Sequence, residues 1–237
     1  MEELLLEWFT RHGRDLPWRR TRDPYAILVS EVMLQQTQVS RVVPRYRVWL
    51  DRWADVYALA VTPIADVIRA WQGLGYNRRA VNLHRAAQHV AGHGWPDDLT
   101  ELPGVGPYTA AAIGNFAFGR AELPVDVNIA RVLERTGTEF SPAAAQALFD
   151  LGATVCLARV PRCGECPLAT GCPARGRTYE PQRKQGPFEG SFRQRRASLL
   201  RLVAAEPQPA HADPEAVASL LADGLVIVED DLVRLPA

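Results

Sequence analysis

The segment "LPGVGPYTAAAIG", residues 102–114, contains two glycines two residues apart, between Pro103 and Pro107, followed by an alanine-rich run. This pattern predicts a tight turn that leads directly into a helix, because proline is favoured at the first helical position. A Gly-x-Gly turn at a helix start presents unpaired backbone N–H groups together with the positive end of the helix dipole. Such a turn is suited to binding an anion such as phosphate, although a Gly-x-Gly also occurs in ordinary tight turns.

The composition describes a globular protein. The 237 residues are 47% hydrophobic and 23% charged, which is typical of one large domain or of two to three small domains with a packed core. A net charge of zero argues against a general nucleic-acid coat, since such domains have a pI above about 9. The basic residues are nevertheless concentrated between Arg159 and Arg201. That charge could meet phosphates or lie on a solvated segment.

The beginning of the chain does not resemble a secretory leader. Residues 1–10 carry three acidic residues and no basic residue, whereas a leader begins with positive charge. No apolar stretch approaches the roughly 18 residues that are needed to cross a bilayer. We therefore expect a cytoplasmic protein without a membrane partner.

The apolar spacing predicts helices over the first three quarters of the chain. One begins at Asp23-Pro24 and continues through Glu31, and the others are expected at 42–53, 63–71, 78–93, 107–118, 127–135 and 142–155. Two short strands around Asp230-Asp231 are predicted near the end of the chain. The Pro- and Gly-rich residues 181–192 are typical of a linker.

The four cysteines of the chain lie within 17 residues, in the spacing C-x6-C-x2-C-x5-C: Cys156, Cys163, Cys166 and Cys172. In a cytosolic protein, such a cluster indicates a metal site rather than disulfides. Thiolates suit zinc or an iron–sulfur cluster. Zinc ribbons usually contain two C-x2-C pairs and this chain has one, but the spacing alone leaves both metals open.

Several segments together resemble the helix-hairpin-helix DNA glycosylases, the superfamily of endonuclease III and the MutY-type adenine glycosylases. They are "LPWRRTRDPYAILVSEVMLQQTQVSRVVP" (16–44), "WQGLGYNRRAVNLHRAA" (71–87), "ELPGVGPYTAAAIGNFAFG" (101–119) and "VDVNIARVLER" (125–135), followed by the cysteine array. The first two segments resemble the MutY branch specifically. The resemblance extends from about residue 16 to residue 172.

The resemblance implies an all-α, two-lobed fold and a domain plan. A six-helix domain with the helix-hairpin-helix would cover residues 22–120, and an iron–sulfur domain would cover 1–21 and 121–178. A linker at 179–190 would lead to a small winged-helix-like module at 191–237. The wing of this module would contact phosphates, or the module would serve packing or a partner. The resemblance also favours a 4Fe–4S cluster over zinc on the cysteines, with an architectural role and no redox step in base removal.

Two carboxyl groups in different environments suit the chemistry that the resemblance implies, which is removal of a flipped base from DNA. Glu31 shares a helical stripe with Ile27 and Leu34, so we expect desolvation to raise its pKa. By resemblance, Glu31 is the acid that protonates a purine nitrogen. Asp126 occupies a helix N-cap position, where amides and the helix dipole favour the carboxylate. The resemblance makes Asp126 the residue that stabilises the cationic sugar, assisted by Asn128.

Tyr108 lies where bifunctional relatives have a lysine that attacks the sugar as an amine. A phenol cannot form a Schiff base, and Lys184, the only lysine of the chain, lies in the expected linker. We therefore expect the protein to remove a base and to stop at the abasic site, without β-lyase activity.

The resemblance also implies residues that contact DNA or line the base pocket. Gln38 is a candidate wedge into the duplex, and Tyr76 and Asn77 would lie beside the mismatch. Contacts to phosphate are expected from Gly104, Gly106 and Thr109. The pocket candidates are Trp18, Arg19 and Tyr25, although Trp and Tyr at such positions also fit a core.

The expected partner is double-stranded DNA with a mismatched or damaged base, and the expected substrate base is adenine opposite guanine or 8-oxoguanine. An alternative is uracil or thymine from U·G or T·G mismatches. It is favoured by Asn77, where many MutY enzymes have tyrosine, by a short insert after the Asp126 helix, and by the missing 8-oxoguanine-reading domain. A non-catalytic lesion binder is a third possibility. We expect a monomer associated with the bacterial nucleoid.

Overall fold

The structure is a computed structural model that describes residues 1–180 and 186–237. Within these residues the fold is mostly helical, as expected. The helices are α1 (Glu2–His12), α2 (Pro24–Leu34), α3 (Val39–Arg52), α4 (Val56–Ala60), α5 (Ile64–Trp71), α6 (Arg78–His93), α7 (Pro107–Phe116), α8 (Val127–Thr136), α9 (Ala145–Thr154), α10 (Phe192–Ala205) and α11 (Pro214–Ala222). The strands are β1 (Gln208–Pro209), β2 (Ile227–Glu229) and β3 (Leu232–Arg234).

The predicted helices are confirmed, with small differences at their ends. The helix expected at 142–155 is a 3-10 turn at Pro142–Ala144 that continues into α9. Helices α1 and α4 were not predicted; α4 has only five residues, too few to show a helical period. Short polar side chains begin several helices by accepting hydrogen bonds from first-turn amides. These N-cap residues include Asp55, Asp126, Ser191 and Asp213.

The described residues belong to two compact units. The first comprises Met1–Pro24 and Pro107–Gln185, of which residues 181–185 lie outside the described part, and the second comprises Tyr25–Gly106 and Gly186–Ala237. These limits differ from the expected 22–120 and 1–21 plus 121–178, because α7 belongs to the first unit. Part of the expected linker at 179–190, including Lys184, lies outside the described residues.

The core of the first unit is formed by α1, α8 and α9. Leu5 and Trp8 of α1 pack with Ile129 and Val132 of α8 and with apolar side chains of α9. The buried carboxylate of Asp150 holds the segment that follows α1, because it accepts hydrogen bonds from the Arg14 backbone and side chain and from the Arg19 guanidinium, all at 2.7–2.8 Å. The N-terminal residues are therefore an integral part of this unit.

The second unit contains α2 as its most buried helix. The residues from Tyr25 to Met33 are all buried, so α2 is covered on all sides and not only along the predicted stripe. The hydroxyl of Tyr25 accepts a hydrogen bond from Trp49 Nε1 at 3.2 Å. Helices α4 and α5 pack against α6. Within the described residues, no helix has the length and apolar character that a membrane span requires.

The C-terminal segment of the second unit combines α10 and α11 with an antiparallel sheet in the order β1-β3-β2. Asp230 and Asp231 have φ of 51° and 60°, which is the geometry of a two-residue type I′ hairpin turn between β2 and β3. The predicted hairpin is thereby confirmed. Strand β1 was not predicted, because two residues that include a proline carry no alternating pattern.

Candidate active site and cysteine loop

Asp126 is held at the start of α8 by several donors. Its Oδ1 accepts hydrogen bonds from the backbone N–H groups of Asn128 at 2.9 Å and Ile129 at 2.7 Å. Its Oδ2 accepts from Asn128 Nδ2 at 2.6 Å. The predicted N-cap is confirmed, and Asn128 lies in direct contact with the carboxylate. The half-buried side chain of Asp126 is therefore fixed in position while remaining accessible.

Arg131 continues this network to the cysteine loop. Its Nη2 donates to Asn128 Oδ1 at 2.9 Å and to the Gly152 carbonyl at 2.8 Å, and its Nε donates to the Cys156 carbonyl at 2.9 Å. Hydrogen bonds thus connect Asp126 with the backbone of the first cysteine. Arg131 is not among the residues predicted from the sequence. The available signal was its position three residues after Asn128, on the same helix face.

Tyr108 lies in the first turn of α7, in the same compact unit as Asp126 and Asn128. Its half-buried ring packs edge-on against Phe149, with the ring centres 6.3 Å apart, and Phe116 contacts the same Phe149 ring. The next residue, Thr109, is buried. These contacts fix the orientation of the Tyr108 ring on α7.

The turn before α7 has the predicted tight geometry. The Val105 N–H donates to the Leu102 carbonyl at 3.0 Å, and both side chains are buried. Gly104 has a φ of +79°, and a Cβ at that position would lie 2.7 Å from Asn82 Cβ, so this residue must be glycine. Gly104 and Gly106 are both exposed. Their contact with phosphate stays a prediction.

Glu31 belongs to the second compact unit, on α2. Its side chain is only 6% exposed, and its neighbours in the helix are buried, apolar or both. The predicted interior position is therefore confirmed. The role of Glu31 as an acid stays a prediction.

Arg79, which the sequence analysis also missed, ties together two loops of the second unit. Its guanidinium donates to the carbonyls of Val32, Met33 and Gln35 and to the Thr37 hydroxyl at 2.6–3.0 Å, and to further carbonyls in residues 74–76. Burial lowers the pKa of Arg79 to about 10, so the side chain stays charged at neutral pH. These partners at residues 32–37 lie more than 40 positions away in the sequence, and no sequence pattern indicates their contact with Arg79.

The two loops held by Arg79 carry the candidate DNA wedges. Gln38 is exposed immediately before α3, and Asn77 lies immediately before α6. The Tyr76 side chain is 52% exposed, its φ is +45°, and its ring lies 5.7 Å from the Arg79 guanidinium carbon. A non-glycine residue in this conformation is strained and needs support from its surroundings. Arg79 provides that support.

The three pocket candidates have different surroundings. Tyr25 is buried beside Trp49 in the second unit, which fits a core position. Arg19 forms the buried ion pair with Asp150 in the first unit, at 2.8 Å. Trp18 is half-buried in the 3-10 turn Pro17–Arg20 of the same unit. A place of these residues in a base pocket stays a prediction.

The four cysteines line a common cavity with Arg135 and apolar side chains of α8 and α9. Arg135 Nη1 donates to Cys156 Sγ at 3.5 Å, and the Gly176 N–H donates to Cys163 Sγ at 3.3 Å. Burial raises the pKa of the Cys166 thiol. Among residues 1–180 and 186–237, no group of three or more Cys, His, Asp or Glu side chains is arranged to hold a metal ion.

The helical fold and the tight glycine turn that leads into α7 are the features expected of a helix-hairpin-helix protein. The chain belongs to the HhH-GPD superfamily of base excision DNA repair proteins, whose family model matches residues 29–148. The resemblance inferred from the sequence is thereby confirmed.

Similar proteins include several that are named adenine DNA glycosylase. The protein of Mycobacterium tuberculosis (strain CDC 1551 / Oshkosh) is 40% identical over 94% of this chain and 88% of its own length. The Mycolicibacterium smegmatis protein is 39% identical over 94% of this chain and 91% of its own length. The human protein is 40% identical over 75% of this chain, but this match covers only 40% of the human protein.

Similar solved structures confirm the fold. A thermostable thymine-DNA glycosylase has a TM-score of 0.65 and 28% identity, over 73% of this chain and 93% of that chain. A trapped covalent intermediate of endonuclease III with DNA has a TM-score of 0.63 and 21% identity, over 73% of this chain and 92% of that chain. At 21% identity the endonuclease III similarity concerns the fold alone.

Proposed function

We propose that this chain is a monofunctional adenine DNA glycosylase that removes adenine opposite guanine or 8-oxoguanine from double-stranded DNA. The observation that carries the proposal is the contrast between two carboxyl groups. Glu31 is buried in an apolar helix, whereas Asp126 accepts several hydrogen bonds at a half-exposed helix start. The choice of adenine is supported by relatives named adenine DNA glycosylase that match 94% of the chain.

The two carboxyl groups serve the two charges that develop when an N-glycosidic bond breaks. The flipped adenine leaves with the bonding electrons, and Glu31 donates a proton to a purine nitrogen so that the base departs neutral. The sugar is left cationic, and the Asp126 carboxylate stabilises it. Asn128 holds that carboxylate in place. Water then adds to the sugar and loses one proton, which restores the protonated Glu31, and the product is an abasic site.

Tyr108 supports the monofunctional part of the proposal. A lysine amine would attack the sugar and form a Schiff base that leads to strand cleavage, but a phenol has no such route. The Tyr108 ring packs edge-on against Phe149 and carries no amine. The product is therefore an intact strand with an abasic site.

A 4Fe–4S cluster on Cys156, Cys163, Cys166 and Cys172 is part of the proposal. It is supported by the cavity that the four thiols share and by the Arg135 and Gly176 donors to sulfur. The cluster would supply a rigid crosslink of the loop and no step of base removal. Through the Cys156 carbonyl and Arg131, the loop would hold the Asn128–Asp126 pair.

Removal of uracil or thymine from U·G or T·G mismatches is the second candidate function. It is favoured by the similarity to a thermostable thymine-DNA glycosylase structure and by Asn77 before α6. The partner in either case is double-stranded DNA, with phosphate at the exposed glycines of the turn before α7. We propose that the protein acts as a monomer in the bacterial cytoplasm.

Base release under single-turnover conditions tests the proposal. Excess enzyme is mixed with duplexes containing A·8-oxoG, A·G, U·G, T·G or hypoxanthine·T, and products are read with and without alkali, so that chemistry is separated from product release. Adenine release is expected, and Glu31→Gln is expected to lower its rate by about 10²–10⁴. Asp126→Asn should also lower it strongly. Glu134→Gln, at an exposed position of α8, is the matched control.

The outcomes separate the candidates. Uracil or thymine release with adenine untouched would replace the adenine proposal by the second candidate. Strand breaks without alkali would overturn the argument from Tyr108. Base release that is unaffected by either carboxyl substitution would remove both residues from the mechanism.

A further inference from the structure

The C-terminal segment, residues 191–237, shares an apolar core with α5 and α6. Buried side chains of α10, α11 and β3, among them Leu200, Leu220 and Val233, lie in a single cluster with Ile68 of α5 and Val81 of α6. The burial of these side chains binds the segment to α6 through the hydrophobic effect. The segment is therefore not a separate module with its own core.

Polar contacts reinforce this attachment near the beginning of α6. Asp223 follows α11 directly, and its carboxylate pairs with Arg196 of α10 and, at 3.5 Å, with Arg78 of α6. Arg78 is the first residue of α6 and follows the candidate wedge residue Asn77. At the other end of the segment's first helix, Arg69 Nε donates to the Ala204 carbonyl at 3.2 Å.

The charge of the segment does not suit a DNA backbone. Residues 191–237 contain seven acidic residues and five arginines, which gives a net negative charge. Arg195 is paired with Asp213 and Glu215 within the segment. The tip of the β2–β3 hairpin presents Glu229, Asp230 and Asp231 next to one another. Such a tip repels phosphates, whereas wing contacts to DNA need basic side chains.

We propose that the C-terminal segment is a splint: it holds the start of α6, and with it the Tyr76–Asn77 loop, and it does not contact DNA itself. Asp223 is the positioning residue of this splint, because it joins α10 and α11 to the first residue of α6. The inference rests on the proposed function in treating Tyr76 and Asn77 as DNA contacts. Arg79 and the splint then both support Tyr76 and Asn77.

Charge substitutions at two acidic residues of the segment test the splint in the full-length protein. Asp223→Lys and the milder Asp223→Asn are compared with Glu229→Lys and Glu229→Gln, which make the same charge changes at the hairpin. Amide hydrogen exchange of residues 76–84 is measured without DNA, and single-turnover adenine release and DNA affinity are measured with it. Asp223→Lys is expected to speed amide exchange about fivefold and to slow adenine release about fivefold. The slower release is expected even though the substitution adds positive charge. Asp223→Asn should act in the same direction.

The Glu229 variants are expected to leave exchange in α6, adenine release and DNA affinity unchanged. The splint is overturned if neither Asp223 variant alters exchange at the start of α6. It is also overturned if Glu229→Lys tightens DNA binding with a steeper salt dependence, since this would place the hairpin at the phosphates. A parent enzyme that releases no adenine would refute the proposed function, while the exchange measurement would still decide the splint.

Discussion

Arg131 joins parts of the first unit that are far apart in the sequence. One guanidinium contacts Asn128, the Gly152 carbonyl and the Cys156 carbonyl. Asn128 in turn holds the Asp126 carboxylate. We therefore expect a displacement of the cysteine loop to change the support of Asp126 through Arg131.

We expect Arg131→Gln to slow single-turnover adenine release by about 10–100-fold, because small misplacements of a catalytic group have effects of this size. DNA affinity should change little, since Arg131 contacts Asn128 and three backbone carbonyls inside the unit. The measurement compares rate constants, DNA affinity and iron content with those of Glu134→Gln on the same helix. An unchanged rate would show that Asn128 holds Asp126 without Arg131.

At the residue scale, only part of the site was predictable. The Asp126 N-cap follows from local sequence, because an aspartate before an apolar helical pattern caps its own amides. The contacts of Arg79 and Arg131 bridge segments that are separated by 20 residues or more. A single sequence does not reveal such long-range pairs, so these contacts of the two arginines were not predictable.

At the scale of elements, the packing of α8 against α9 depends on a glycine. A Cβ at Gly152 of α9 would lie 2.8 Å from Asn128 Cβ and 3.1 Å from the Asn128 carbonyl oxygen. The two helices can therefore approach closely only when this residue has no side chain. Close approach also brings the Gly152 carbonyl within reach of Arg131.

We expect Gly152→Ala to lower the free energy of unfolding by about 1–3 kcal/mol, as overpacking does. The matched control is Gly92→Ala near the end of α6, where no atom lies within 4 Å of the added Cβ. This exposed substitution should raise the free energy by about 0.5–1 kcal/mol through helix propensity. Denaturant titrations of both variants measure the difference. The role of close packing would be refuted if Gly152→Ala raised the free energy of unfolding as Gly92→Ala does.

The burial of α2 shows what an element's own pattern does not reveal. The sequence predicted a stripe containing Ile27 and Glu31, whereas all of α2 from Tyr25 to Met33 is buried. A helix that is apolar on all sides indicates burial, but the segments that cover it lie elsewhere in the chain. The burial of Glu31 on such a helix was expected, although its extent depends on the tertiary structure.

At the scale of the whole molecule, two buried groups contribute to the response of stability to acid. Burial lowers the pKa of His84 below its ordinary value of 6.5, and a ring nitrogen lies 2.9 Å from the Thr62 carbonyl. Burial alone would raise the pKa of Asp150, but hydrogen bonds from Arg19 and Arg14 outweigh it and lower that pKa below 3.8. Protonation of either group therefore lowers the stability of the folded protein.

The pH windows differ for the two groups. Below pH 6.5, the unfolded chain takes up a proton at His84 that the folded chain resists, so stability falls as the pH is lowered through this range. The Asp150 contribution is complete above pH 3.8 and is lost as the pH falls through the lowered pKa. His84→Gln should flatten the fall between pH 7 and pH 5, and His211→Gln, at an exposed position, should leave it unchanged. Thermal unfolding across pH measures both slopes, and parallel curves for parent and His84→Gln would contradict the assignment.

The superfamily follows from the combined motifs of residues 16–172. The local sequence predicts most of the helices, the turn before α7, the Asp126 cap and the C-terminal hairpin. These features depend on residues that are close together in the chain: proline and glycine at turns, a capping carboxylate, and apolar side chains at helical spacing. The folded structure is needed to see that residues 191–237 pack on α5 and α6, that Arg79 joins two loops, and that Arg131 links Asp126 to the cysteine loop. The physical reason is that burial and long-range hydrogen bonds depend on which surfaces meet in space, and this information is spread over the whole chain.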